Sequence, residues 1–217
     1  MAIPLNYQIS EYDCGPVSLL NALNKQFDRK MIQPCVIKAI YNYSLDYCDA
    51  QRHPGQKGTS AAALRFIGEW LNHYGTQCNF PIRCASLPPE LISLEEGSPL
   101  NIAISEGAVA VIRCILDVGH YVLLTGLDGD NALLWDPYHL EKVLKNKEII
   151  QTDDFPHDYN RKVTFNQMNR TGKGAYNLGP WDKRECLLIW NTTKVVEGEV
   201  TAEPEEQAQT DCRAELP

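Results

Sequence analysis

The apolar pattern of this chain changes period once, near residue 108, and that change sets the fold class. Before it, Val17, Leu19, Leu20, Ala22 and Leu23 follow Pro16 at helical spacing, and a second apolar stretch over residues 61–67 follows Gly58-Thr59-Ser60. After it come short runs rich in β-branched residues at 108–112 and 120–126, the turn Asp128-Gly129-Asp130-Asn131, and a further run at 132–135. Helical faces repeat about every 3.6 residues, whereas short β-branched apolar runs between turn residues read as strands. The Asp-Gly turn joins the last two runs as antiparallel neighbours. Helices first and sheet second imply an α+β fold, with N-terminal helices packed on a C-terminal antiparallel sheet.

The remaining stretches fill in around that division. Residues 1–13 read as an extended lead-in, and Pro16 places Cys14 at or just before a helix N-terminus, where a missing N–H costs nothing. A second helical stretch falls within 28–43, with Pro34 at its start or breaking it. Thr59 or Ser60 caps the next helix, which continues to Gly75. Pro88, Pro89 and Pro99 punctuate a loop-rich middle with one short helix near 88–94. A late strand fits 185–190, and 153–182, which is polar, aromatic and Gly-rich without a clear period, reads as a long ordered loop or insertion. This gives one domain over residues 1–193 and an acidic, disordered tail over 194–217.

Composition excludes several classes of function. The formal net charge is −8, but from Lys194 onward there are seven acids and two bases, so much of that charge sits in the tail. The body has no basic footprint for nucleic acid. There is no apolar run of eighteen residues for a membrane span, and the first residues lack the pattern of a secretory signal, so a soluble cytoplasmic protein is expected. The eight cysteines include no C-x-x-C pair, which argues against a zinc ribbon and for reduced thiols, most of them buried. No metal or other cofactor is expected. Asp128 and Asp130 fit a hairpin turn and no calcium loop, and Gly172-Lys173-Gly174 lacks the full phosphate-loop pattern. Lys145 and Lys147 read as a solvated turn, and Tyr176 and Trp181 as packing for the insertion in preference to a groove border.

The residues that carry chemistry are Gln8, Cys14, His120 and Asp136. A thiol attacks only as thiolate, which the positive end of a helix and a histidine partner both favour. The tetrahedral intermediate then needs donors aimed at its oxyanion. The backbone N–H of Cys14 can supply one, and the side-chain amide of Gln8, folded back from the lead-in, another. His53, His73, His120, His139 and His157 are the available bases. His120 opens an apolar strand, and Asp136 follows sixteen residues later across the hairpin turn, which lets the carboxylate orient the ring. His139 is the runner-up base. Taken singly, a buried cysteine, a strand histidine and an Asp-Pro turn are ordinary structural residues; the conjunction is what points to nucleophilic catalysis.

Gln8-x5-Cys14 with Asp13-Cys14-Gly15-Pro16, then Gly119-His120-Tyr121-Val122, then Trp135-Asp136-Pro137, resembles the bacteriocin-processing, double-glycine leader peptidases of the papain-like cysteine protease superfamily. The resemblance covers roughly residues 5–140, with Gly58-Thr59-Ser60 similar to the family's middle segment. It implies a papain-like fold, a triad of Cys14, His120 and Asp136, and Gln8 as oxyanion donor. Two departures bear on substrate. The family's best-known members are fused to a membrane-spanning exporter, and residues 141–182 are longer than the family's sheet requires. The expected reaction is acyl transfer from a peptide or amide through a thioester at Cys14, with water as acceptor. An amine or thiol acceptor would make the same residues a transferase. A third reading is a peptide-binding module that keeps the groove without turnover. A peptide or protein substrate is the expected partner; oligomeric state has no signature in the sequence.

Overall fold

The structure, a computed structural model, describes residues 3–194. Apart from Lys194, the expected acidic tail lies outside those residues, as does Cys212. The chain forms helices α1 (Cys14–Gln26), α2 (Pro34–Ser44) and α3 (Ala61–Cys78), strand β1 (Ile82–Ser86), helix α4 (Pro99–Ser105), strands β2 (Val109–Leu116), β3 (Val118–Asp128), β4 (Asn131–Trp135), β5 (Ile149–Gln151) and β6 (Arg161–Thr164), helix α5 (Phe165–Asn169) and strand β7 (Cys186–Asn191). Seven strands make one sheet in the order β1-β7-β2-β3-β4-β6-β5, and every pairing is antiparallel. The α+β class and the antiparallel hairpin from His120 to Asp136 are as expected.

Local chemistry accounts for the helix limits. Pro34 occupies the first turn of α2, where its ring fits. Ser60 caps α3, its hydroxyl accepting from the Ala63 N–H. That helix runs past the expected stop at Gly75 to Cys78 and ends where Asn79 turns left-handed at φ +50°. Gly75 serves close packing and not termination: a side chain there would meet Ile82 and the Phe80 carbonyl. Pro99 does not break the chain, as expected, but opens α4 behind a Ser98 cap. β1 went unrecognised because its five residues, Ile82 to Ser86, include Arg83 and Ser86 and carry no long apolar run.

The sheet is buried on both faces. One face meets α1 and α3 through Leu19, Leu23, Leu64, Val111, Leu123 and Ile189, and α2 packs against those two helices. The other gathers Ile112, Val122 and Leu188 with Leu100, Met168 and Tyr176. Two-sided burial explains why β2, β3 and β7 read as continuous apolar runs and not as alternation. It also refines the reading of residues 153–182 as a long ordered loop or insertion: the second face is covered partly by this stretch, which contributes the regular elements β6 and α5.

Candidate functional site

Cys14 begins α1 behind Asp13, and the Asp13 carboxylate shapes the turn before it. It accepts from the N–H groups of Ile9 and Ser10 at 3.0 and 2.7 Å and from the Ser10 hydroxyl at 2.7 Å. Burial alone would raise the Asp13 pKa, yet these bonds hold it below its ordinary value. The start of the helix rests on the segment before α3. Gly15 has no side chain because Thr59 fills that space, and Gly58, at φ +72°, lies so close that a Cβ would stand 3.0 Å from the Tyr12 carbonyl. The Gly-Thr-Ser segment singled out from sequence thus backs the helix that carries Cys14.

Gln8 is carried by the same lead-in, which is fastened at several points. Asn6 N–H donates to Asn21 Oδ1 on α1 at 2.8 Å, Trp135 Nε1 donates to the Asn6 carbonyl at 3.0 Å, and Gln8 N–H donates to the Pro137 carbonyl at 2.8 Å. Gln8 therefore lies beside the residue that follows Asp136. Its Nε2 donates to the Ser10 carbonyl at 2.6 Å, while Oε1 is buried without a partner. An amide nitrogen has two hydrogens, so one remains for another acceptor. Gln8 and His120 line one cavity of about 620 Å³ together with Leu116, Val118, Tyr138 and Val143. Lys145, read from sequence as merely solvated, also borders it.

His120 and Asp136 meet across the β3–β4 hairpin. His120 Nε2 lies 2.7 Å from Asp136 Oδ1, and both residues are buried. With Nε2 donating to the carboxylate, Nδ1 is the ring nitrogen left for Cys14. The Cys14 side chain is close enough to act electrostatically on the imidazole. Burial would push the His120 pKa down, but hydrogen bonds to Asp136 and Cys14 and their negative charge raise it to about 10. For Asp136, burial works upward, and the His120 bond and charge, the Tyr176 hydroxyl and the Tyr138 N–H outweigh it, so its pKa is lowered. Gly119 precedes the histidine because the Arg113 guanidinium occupies the space a Cβ would need. Arg113 in turn lies 3.9 Å from Glu185 and donates to the Lys183 carbonyl at 3.2 Å.

The other candidates fall away from this cluster. His139 is exposed and sets its ring edge-on to Tyr7, with centroids 5.2 Å apart. Cys114 faces His120 across the β2–β3 ladder, but burial and the charges of Asp136 and Cys14 hold its pKa well above the ordinary thiol value. Cys84 is pushed up to about 12 by burial and by Glu69, and burial raises Cys186 as well. Trp181 is half exposed, stacked on the Arg184 guanidinium at 3.5 Å.

Three residues that contact Asp136 or its neighbours were not placed at the site from sequence, Tyr176 having been read as packing alone. Asn160 grips the Asp136 backbone from both sides, accepting its N–H at 2.7 Å and donating to its carbonyl at 2.8 Å. Tyr176 is fully buried, and its hydroxyl donates to Asp136 Oδ2 at 2.6 Å, so it does more than pack the insertion. Arg161 Nε donates to the same hydroxyl at 2.9 Å. A lone asparagine, tyrosine or arginine in an aperiodic stretch has no motif to mark it, and only the tertiary fold brings these three to Asp136. Among the described residues no group of three or more His, Cys, Asp and Glu could hold a metal ion, and no helix is long and apolar enough to cross a membrane. No protein-family model matches the chain, and no curated protein matches it either.

Proposed function

We propose that this protein is a papain-like cysteine peptidase or amidase, with Cys14 as nucleophile, His120 as base and acid, Asp136 as the orienting carboxylate and Gln8 as oxyanion donor. One observation carries the reading: a thiol at a helix start, a buried imidazole and a buried carboxylate converge from α1, β3 and the end of β4, with the carboxylate on Nε2 of the imidazole and the Cys14 side chain acting on the same ring. In the first half-reaction the Cys14 thiolate attacks the carbonyl carbon of a peptide or amide. The oxyanion takes hydrogen bonds from the Cys14 N–H and the remaining N–H of Gln8. As the C–N bond breaks, the Nδ1–H of the imidazolium passes its proton to the leaving amine, and a thioester remains on Cys14. In the second, neutral Nδ1 takes a proton from water, the oxygen attacks the thioester, and the thiolate leaves to pair again with the imidazolium.

The test is competitive labelling. At neutral pH and substoichiometric iodoacetamide, Cys14, although buried, reacts before the exposed thiols Cys35 and Cys48, as mapped by peptide mass. Intact mass after exposure to a peptide library then shows an acyl adduct on Cys14 that decays in water. Preferential labelling of Cys35 or Cys48 with Cys14 inert overturns the assignment. A reactive Cys14 that binds peptides without acylation favours a non-catalytic binding module.

A further inference from the structure

The hydrogen bonds around Asp136 have a fixed direction. Arg161 Nε can only donate, and it donates to the Tyr176 oxygen, so the phenolic O–H is left to point at Asp136 Oδ2. On the other oxygen, Oδ1, His120 Nε2 and the Tyr138 N–H converge at 2.7 and 2.8 Å. Both carboxylate oxygens are thus occupied by donors, and Asn160 pins the backbone beneath them.

Delivering the phenol to this point requires an uncommon backbone. Tyr176 sits at φ +61°, the left-handed region that a bulky residue rarely adopts. It is held there from all sides. Tyr176 N–H donates to the Ile115 carbonyl at 2.7 Å, and Ile115 N–H donates to the Asn177 carbonyl at 2.8 Å. Gln167 Nε2 donates to Asn177 Oδ1 at 2.7 Å and to the Ala175 carbonyl at 2.9 Å. A side chain needed only to fill the second core would be cheaper as phenylalanine, since a buried hydroxyl is costly unless paired. Backbone strain kept under such constraint belongs to sites where a group must be aimed.

We propose that Tyr176 is a positioning residue for the His120–Asp136 pair, and that Arg161 fixes the direction in which its phenol donates. The proposal rests on the cysteine-enzyme reading given above. His120 alternates between imidazolium and imidazole during turnover, and its Nε2–H must stay on Asp136 throughout for Nδ1 to keep facing Cys14. By holding Oδ2, Tyr176 reserves Oδ1 for that bond and prevents the carboxylate from rotating away. The 141–182 stretch, through Tyr176, is then part of the catalytic apparatus.

The experiment compares the full chain with Tyr176→Phe using two readouts that need no substrate: the low-field proton resonance of His120 Nε2–H, and the pH dependence of Cys14 alkylation by iodoacetamide. The variant is expected to melt cooperatively, to shift or broaden the resonance, and to alkylate about tenfold more slowly near neutral pH, the scale of one lost hydrogen bond to a charged group. The acid limb of the alkylation profile moves to higher pH, because Asp136 with one donor fewer protonates more readily. A merely structural tyrosine would lower the melting temperature and leave both the resonance and the profile superimposable on the wild type; that result overturns the proposal. Should the single variant lose its cooperative melt, Tyr176→Phe with Arg161→Met removes the stranded guanidinium and is read the same way. If wild-type Cys14 is no more reactive than Cys35, the enzymatic reading itself fails, which a changed variant beside a reactive wild type cannot be mistaken for.

Discussion

A histidine taken out of water ordinarily loses its proton, because a low-dielectric interior penalises the cation. His120 runs against that rule because the Asp136 carboxylate lies on its Nε2 and the Cys14 side chain adds to the same effect. The consequence for stability has a definite sign. In the unfolded chain the group titrates near its ordinary 6.5, whereas in the folded protein it holds its proton up to about 10. The native state therefore binds more protons than the unfolded state between these values, and stability falls as pH rises across the window. Denaturant unfolding of the wild type against His120→Ala should show a stability difference that is largest below pH about 6.5 and shrinks steadily toward pH about 10. A difference independent of pH would mean that the ring is neutral in the folded protein.

At the scale of elements, the start of α1 has no room to spare. Thr59 occupies the space beside Gly15, so Gly15→Ala forces the α3 lead-in away from α1. Overpacking of this kind costs about 1–3 kcal/mol, and thermal denaturation should show it together with slower alkylation of Cys14. The sequence made this element legible because proline, capping residues and apolar spacing are local properties: Pro16, Pro34 and Ser60 announce where helices begin. The His120–Asp136 hairpin was legible for the same reason, since an Asp-Gly turn fixes which strand ends meet. Asn160, Arg161 and Tyr176 were not legible, because their bonds to Asp136 or its neighbours span up to 40 residues and depend on how β6 and the segment after α5 fold back over the sheet. Likewise α4 was hidden by the habit of reading Pro99 as a breaker when it stands in a first turn.

At the scale of the molecule, the strand order places β7 between β1 and β2 and not at an edge. Its residues Leu187 and Ile189 enter one core and Leu188 and Trp190 the other. Truncation before Cys186 should therefore abolish the cooperative thermal transition, since it exposes unpaired strand edges on both sides of the gap; a truncated chain that still melts cooperatively would show that β7 is dispensable. The same placement governs when the protein can first work during its own synthesis. Cys14 is translated well before β7, the strand that joins the two parts of its sheet and is among the last described segments to be made. At about 5–20 residues per second, the nascent chain spends on the order of ten seconds or more with the thiol translated and the sheet around it unclosed. Sheet closure, and not translation of Cys14, therefore sets the earliest moment at which the Cys14–His120–Asp136 cluster can be complete in a newly made molecule.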